Sequence, residues 1–159
     1  MSFDVAKRAV DFLISMSGPR QHCEIDFFGG EPLLNWDVVK QTVEYIESIQ
    51  DKHGKIFKLT LTTNGVLLTQ DKIDYVNEHN MSLVLSLDGR EDVHNSMRPS
   101  AGGRDTYQTV AKNLVNAVKQ RDGREYYVRG TYTHNNLDFC KDVEAMSDLG
   151  FEHLSMEPV

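Results

Sequence analysis

At 159 residues, 40% hydrophobic and 26% charged, the chain has the size and composition of one soluble globular domain. No apolar run approaches the roughly 18 residues of a membrane helix. The start, MSFDVAKRAVDFL, lacks the features of a signal peptide, so the cytoplasm is the expected location. The formal charge is −7 and the 17 Lys and Arg are scattered, which argues against nucleic acid, because polyanion binding needs clustered cations.

In chain order, Val5, Ala9, Phe12 and Met16 recur at helical spacing, and Gly18-Pro19 ends that helix. Cys23 to Phe28 reads as a buried strand ending in Gly29-Gly30. Asn35 is placed to cap a long amphipathic helix carrying Trp36, Val39, Val43, Ile46 and Ile49. Lys58 to Thr62 is β-branched and alternating, a strand. Thr69 opens a helix to about His79 with Ile73 and Val76 inward, and Leu83 to Ser86 is a short apolar strand. A polar loop runs from Asp88 to about Arg104. Asp105 and Gln108 resemble a capping box before a helix with Tyr107, Val110, Leu114 and Val118. After the Asp122-Gly123 turn, Tyr126 to Thr133 is a strand. Asn136 caps a helix with Leu137, Val143 and Met146 inward and Gly150 at its end. His153 to Met156 is the last strand.

About five strands thus alternate with five helices in one domain, which predicts right-handed crossovers and a parallel sheet. In such a sheet all strands end on the same side, and the segments after their carboxyl ends converge. Those segments are Gly29 to Pro32, Thr62 to Gly65, Ser86 to Gly89, the Arg129 region and Met156 to Pro158. They are rich in Gly, Asn, Asp, Ser and Glu, the composition of a binding edge.

Each segment admits two readings. The turn Gly29-Gly30-Glu31-Pro32 lets backbone approach a ligand and offers carbonyls to an ammonium group, or is a plain strand-to-loop turn. Thr63 and Asn64 line a pocket or form an Asx-type turn ahead of Gly65. Ser86 and Asp88 bind ribose hydroxyls or cap their loop. Arg98 and Arg129 each suit a carboxylate. Arg98 in its polar loop is otherwise solvated. Arg129, mid-strand among apolar neighbours, is otherwise paired with a structural acid. Glu157 reaches the same edge or is solvated. His94 stands alone, with no metal-binding spacing. The two cysteines, Cys23 and Cys140, are far apart and no CxxC occurs, so neither a disulfide framework nor a cysteine-only metal site is expected.

Taken in order, FFGGEPLL, TLTTNGVLL, LSLDG, VHNSMRP and GGRDTY resemble the SPASM-type radical S-adenosylmethionine (SAM) peptide maturases. YYVRGTYTHNNLDF and HLSMEPV are most similar to the maturases of SCIFF peptides, which install thioethers in a Cys-rich peptide. Anaerobic sulfatase maturases share much of the series. The resemblance covers essentially the whole chain and implies a partial (β/α) barrel of the radical SAM type. It implies that Gly29, Gly30 and Glu31, with Pro32 closing the turn, hold the amino group of SAM. It implies further that Ser86 and Asp88 face the ribose or methionine part, that Arg129 faces the SAM carboxylate, and that Thr63, Asn64 and Arg98 shape the pocket. Met156 and Glu157 would approach the adenosine. The implied chemistry is reductive cleavage of SAM at a 4Fe-4S cluster and hydrogen abstraction from the peptide by a 5′-deoxyadenosyl radical.

The chain departs from that family in lacking CxxxCxxC, whose three thiolates hold the cluster. The expectation is an incomplete radical SAM core, residues 1–159, without the first strand, the cluster loop or the C-terminal auxiliary domain. Such a fragment would be inactive, would bind no cofactor of its own, and would expose the Cys23–Phe28 strand as a bare edge open to dimerisation. Two other readings are a flavodoxin-like or receiver-like binding module and a non-catalytic peptide-binding scaffold. The first lacks its phosphate loop, clustered acids and late lysine.

Overall fold

The computed structural model describes all 159 residues. Five strands form one sheet: β1 (His22–Phe27), β2 (Ile56–Thr63), β3 (Ser82–Ser86), β4 (Tyr126–Tyr132) and β5 (Leu154–Pro158). Every neighbouring pair is parallel, and the order in the sheet is the order in the chain. Six helices accompany them: α1 (Phe3–Ser17), α2 (Trp36–Ile49), α3 (Gln70–Glu78), α4 (Glu91–Met97), α5 (Tyr107–Lys119) and α6 (Cys140–Asp148). Short 3-10 turns lie at Pro32–Asn35 and Asp51–His53.

Sequential order decides the architecture. A flavodoxin-like sheet reverses direction at a switch point, and this one never does. Right-handed crossovers that all step the same way put their helices on one face, which is the geometry of a partial (β/α) barrel. The period-2 pattern of the strands obeys this. Leu59, Leu61, Leu83, Leu85 and Val128 pack against Val43 and Ile46 of α2, Ile73 of α3 and Leu114 of α5. Burying each such leucine contributes roughly 1.5–3 kcal/mol. The intervening residues are mostly polar, among them Asp26, Thr60, Thr62, Ser86 and Arg129, with Val84 and Tyr127 the apolar exceptions. They form a second face that carries no helix. No helix is long and apolar enough to cross a membrane.

Four expectations need correction. The stretch from Asp88 to Arg104 is not only loop, because α4 lies within it. Glu91 and Asp92 favour its N-terminus, and buried His94 anchors it. Its sequence, EDVHNSM, has no apolar period to reveal it. The inward face of α1 is Ala6 and Val10. Val5, Phe12 and Met16 are 44%, 66% and 68% exposed. The α5 cap is not the Asp105 side chain. Asn95 of α4 accepts from the backbone N–H groups of Thr106 and Tyr107, each at 3.0 Å, and Gln108 donates to Glu91 instead. Asn136 precedes α6 by a full turn and ties the β4 loop together, while Leu137 is exposed. Asn35 and Thr69 do sit at helix starts, but neither side chain makes a capping hydrogen bond.

Candidate functional site

The strand-end segments converge as a parallel sheet requires, but their polar groups divide into two kinds. Some are consumed by the fold. The Glu31 carboxylate accepts from Leu33 N (3.1 Å) and Thr63 Oγ1 (2.8 Å) at one oxygen and from Asn64 N (2.8 Å) at the other. It braces the β1 turn against the end of β2. Pro32 starts the 3-10 turn there. Thr63 also accepts from Gly65 N, and Asn64 Oδ1 from Val66 N, closing an Asx-type turn.

Asp88 is fully buried and equally committed. Its Oδ1 accepts from Thr131 N and Oγ1, both at 2.9 Å, and from Arg98 Nη2 at 3.1 Å. Its Oδ2 accepts from Arg98 Nε at 2.5 Å. Arg98 is therefore paired, not solvated, and Asp88 clamps the ends of β3 and β4 to the α4 loop. Below it, Gly89 lies against α6, where buried Asp142 accepts from Arg90 N and Nε. Arg90 also binds Asp138, and this guanidinium holds the Asp138 carboxyl down at about 2.

His94, 1% exposed, completes the clamp. Its Nδ1 accepts from Asp88 N at 3.4 Å, and its Nε2 faces Thr106 Oγ1 at 3.1 Å. Because Thr106 Oγ1 donates its only proton to Arg98 O, Nε2 must carry the imidazole hydrogen. Burial pushes the His94 pKa down, the Asp88 charge raises it, and Arg98 lowers it. With the folded pKa below the unfolded one, the unfolded chain takes up the proton first as pH falls. Stability is then full above about pH 6.5 and declines below it as the folded value is approached. Urea titrations across this range should show that decline, and His94→Gln should flatten it. An unchanged slope in the variant would remove His94 as its source.

The second kind of group stays available, on the helix-free face. Ser86 and Arg129 stand opposite each other across β3 and β4, and both are half-buried. Arg129 Nη2 donates to Glu157 Oε2, while Arg129 Nε is buried with no partner. Beside them, Thr62 Oγ1 donates to Asp26 at 3.0 Å. Asp26 and Thr131 escaped the sequence reading, although the alternation of β1 and β4 places both on this face. The turn at Gly29 and Gly30 is open, with no atom within 4 Å of a Cβ built on either residue. The Met156 side chain lies on the other face. A Cβ on Gly130 would come within 2.4 Å of Met156 Sδ and 2.8 Å of Leu87 O, so the thioether packs against the core and not toward a ligand on the helix-free face. No group of three or more His, Cys, Asp or Glu is placed to hold a metal. Cys23 is buried and Cys140 is exposed, both as free thiols.

The sequence profile of the Radical SAM superfamily matches residues 5–154. The chain belongs to the radical SAM superfamily. Among relatives in that superfamily, it is 28% identical over 137 residues to the radical SAM cyclopropyl synthase TigE of Paramaledivibacter caminithermalis, covering 79% of this chain and 26% of that protein. It is 33% identical over 95 residues to a cysteine-type anaerobic sulfatase-maturating enzyme of Clostridium perfringens (strain 13 / Type A), covering 57% of this chain and 25% of that enzyme. The solved structure of native anSMEcpe with bound AdoMet and Cp18Cys peptide superposes with a TM-score of 0.87 at 24% identity, over 99% of this chain and 43% of that one. That likeness shows the shared radical SAM fold. The chain spans about a quarter to two fifths of the length of these relatives.

Proposed function

We propose that this chain is the SAM-binding portion of a radical SAM enzyme that modifies a Cys-rich peptide through a 5′-deoxyadenosyl radical, with thioether formation as the reaction of the full-length parent. The observation that carries the reading is Arg129, half-exposed at the carboxyl end of β4, with a buried unpartnered Nε and Ser86 opposite it. A guanidinium with unspent donors beside a hydroxyl suits the carboxylate of an amino-acid ligand. The open Gly29-Gly30 turn offers backbone carbonyls to its ammonium. Glu31 and Asp88, whose oxygens are already spent, act as positioning residues through Thr63, Arg98 and Thr131. Glu157 sets the orientation of Arg129.

SAM thus fits the residues present. An iron–sulfur cluster does not: Cys23 and Cys140 are the only thiols and no ligating group forms around them. Its thiolates, and a SPASM-type auxiliary domain, would belong to other parts of the parent. Two free thiols fit a reducing compartment, in keeping with a cytoplasmic enzyme. The 33% match to a cysteine-type sulfatase-maturating enzyme favours a second reading, a sulfatase-maturase-like reaction on a cysteine of the substrate. The two differ in product, a thioether in one case and an oxidised cysteine in the other.

Without the cluster to anchor SAM, the bare chain should bind it weakly or not at all. Calorimetry that gave tight SAM binding would refute this. The unpaired edge of β1 supports a second expectation. Along it runs a groove of about 600 Å³ between Ala9 and Leu13 of α1 and Ile25 and Phe27 of β1. An unpaired strand beside an apolar groove is a template for a further strand. The isolated chain should therefore dimerise as its concentration rises. A strictly monomeric mass by light scattering at high concentration would count against it.

A further inference from the structure

On the helix-covered side of the strand ends, the turn after β1, the loop after β2 and the loop between α4 and α5 border a half-open cavity of about 500 Å³. Gly30, Glu31, Asn64 and Arg98 line it, but Ser86, Arg129 and Glu157 do not. It shares Gly30 with the turn assigned to the SAM ammonium, but not the groups of the helix-free face.

Its hydrogen-bonding capacity is one-sided. The side-chain acceptors on its wall are already engaged within the fold. Glu31 holds Leu33, Thr63 and Asn64 N–H or O–H groups, and Asn64 Oδ1 holds Val66 N at 3.0 Å. Val66 N fixes the orientation of the Asn64 amide, so Nδ2 carries two hydrogens with no partner. Arg98 gives Nε and Nη2 to Asp88 and keeps Nη1. Ser100 Oγ accepts from Arg104 N at 2.9 Å and retains its proton. Three donors on the lining residues are therefore free, one of them on the guanidinium that Asp88 holds in place. The rest of the wall is apolar, including Leu34, which is 78% exposed, and Leu67.

We propose that this cavity binds a carboxylate borne by a peptide, with its short aliphatic stem along Leu34 and Leu67 and its oxygens on Asn64 Nδ2, Arg98 Nη1 and Ser100 Oγ. An ionised carboxylate accepts only, matching the free donors of this wall. An amide of the same shape exchanges the charge-assisted contact with Arg98 for a weaker neutral one. The site goes beyond the SAM reading and stands or falls separately from it.

The test is NMR titration of this chain with N-acetyl-glutamate methylamide, with its glutamine counterpart, and with N-acetyl-alanine, which carries only an α-carboxylate. Saturable shifts of the Asn64 Nδ2 and Arg98 guanidinium signals with either carboxylate, and not with the glutamine probe, support the site. The responding probe tells side chain from chain terminus. Asn64→Asp keeps the acceptor for Val66 N and replaces the donor by a charge. Leu34→Asp adds a charge at the exposed rim. Each should weaken binding by about tenfold or more, which is about 1.4 kcal/mol or more. Equal shifts with the glutamine probe, no shifts with either carboxylate, unweakened binding in both variants, or displacement of the probe by S-adenosylhomocysteine would overturn the assignment.

Discussion

Asp88→Asn should lower the stability of the chain by about 3 kcal/mol, because it breaks a buried charge pair and leaves Arg98 facing an amide. Four hydrogen bonds from three donor groups on two elements end on this carboxylate. Arg98 donates to both oxygens and Thr131 to one, so in either orientation the NH₂ of an amide is set against donors. Breaking a buried pair costs up to about 5 kcal/mol, and the partial exposure of Arg98 places this case at the lower end. Because Thr131 adjoins Arg129 on the helix-free face, loosening Asp88 should also disorder the groups proposed to bind SAM. Urea denaturation gives the first effect. The second shows as broadened amide signals at residues 129–131. A variant as stable as the parent would mean that Asp88 is free for a ligand and is not the clamp described.

Gly89→Ala should be comparably damaging, by about 2–6 kcal/mol, for two reasons that add. The backbone at Gly89 has φ +97°, where a side chain costs about 1–3 kcal/mol. A Cβ there would also stand 2.2 Å from Asp142 Cβ and 2.5 Å from its Cα. Those atoms belong to the framework of α6, so the helix itself must move, at about 1–3 kcal/mol. Gly103→Ala supplies the control. Its φ is +69° and nothing lies within 4 Å of the added Cβ, so only the backbone cost of about 1 kcal/mol remains. Equal losses in the two variants, measured by urea titration, would show that the contact with α6 carries nothing.

Residues 88 and 89 also show how far the sequence could be read. The five strands were legible because burial on one face imposes a period of 2, and Leu59, Leu61, Leu83 and Leu85 display it. Parallel pairing followed from strict alternation, and so did the convergence of the strand ends. The sequential strand order did not follow, because alternation alone is equally compatible with a doubly wound sheet. α1 misled because it is apolar on two sides. Ala6 and Val10 face the core, but the larger Val5, Phe12 and Met16 dominate the pattern while facing outward. α4 was hidden because a buried histidine and an asparagine cap, not apolar residues, hold it.

The same distinction runs through the site. That Glu31, Thr63, Asn64, Asp88 and Arg98 sit at strand ends was visible. That their hydrogen bonds are largely spent on one another was not, since Asp88 meets Thr131 from 43 residues away. Arg129 carried a real signal: a charge within an apolar strand needs a partner, and Glu157 is only part of the answer.

The SAM-binding role of the helix-free face is tested most directly in the longer parent, with iron and sulfide reconstituted anaerobically and SAM supplied with a reductant. 5′-Deoxyadenosine should form, and Arg129→Ala should cut its formation by about a hundredfold, the loss of roughly 3 kcal/mol from a charge-assisted contact, while the cluster spectrum stays unchanged. No 5′-deoxyadenosine from a fully loaded parent, or full activity in the Arg129 variant, would contradict it.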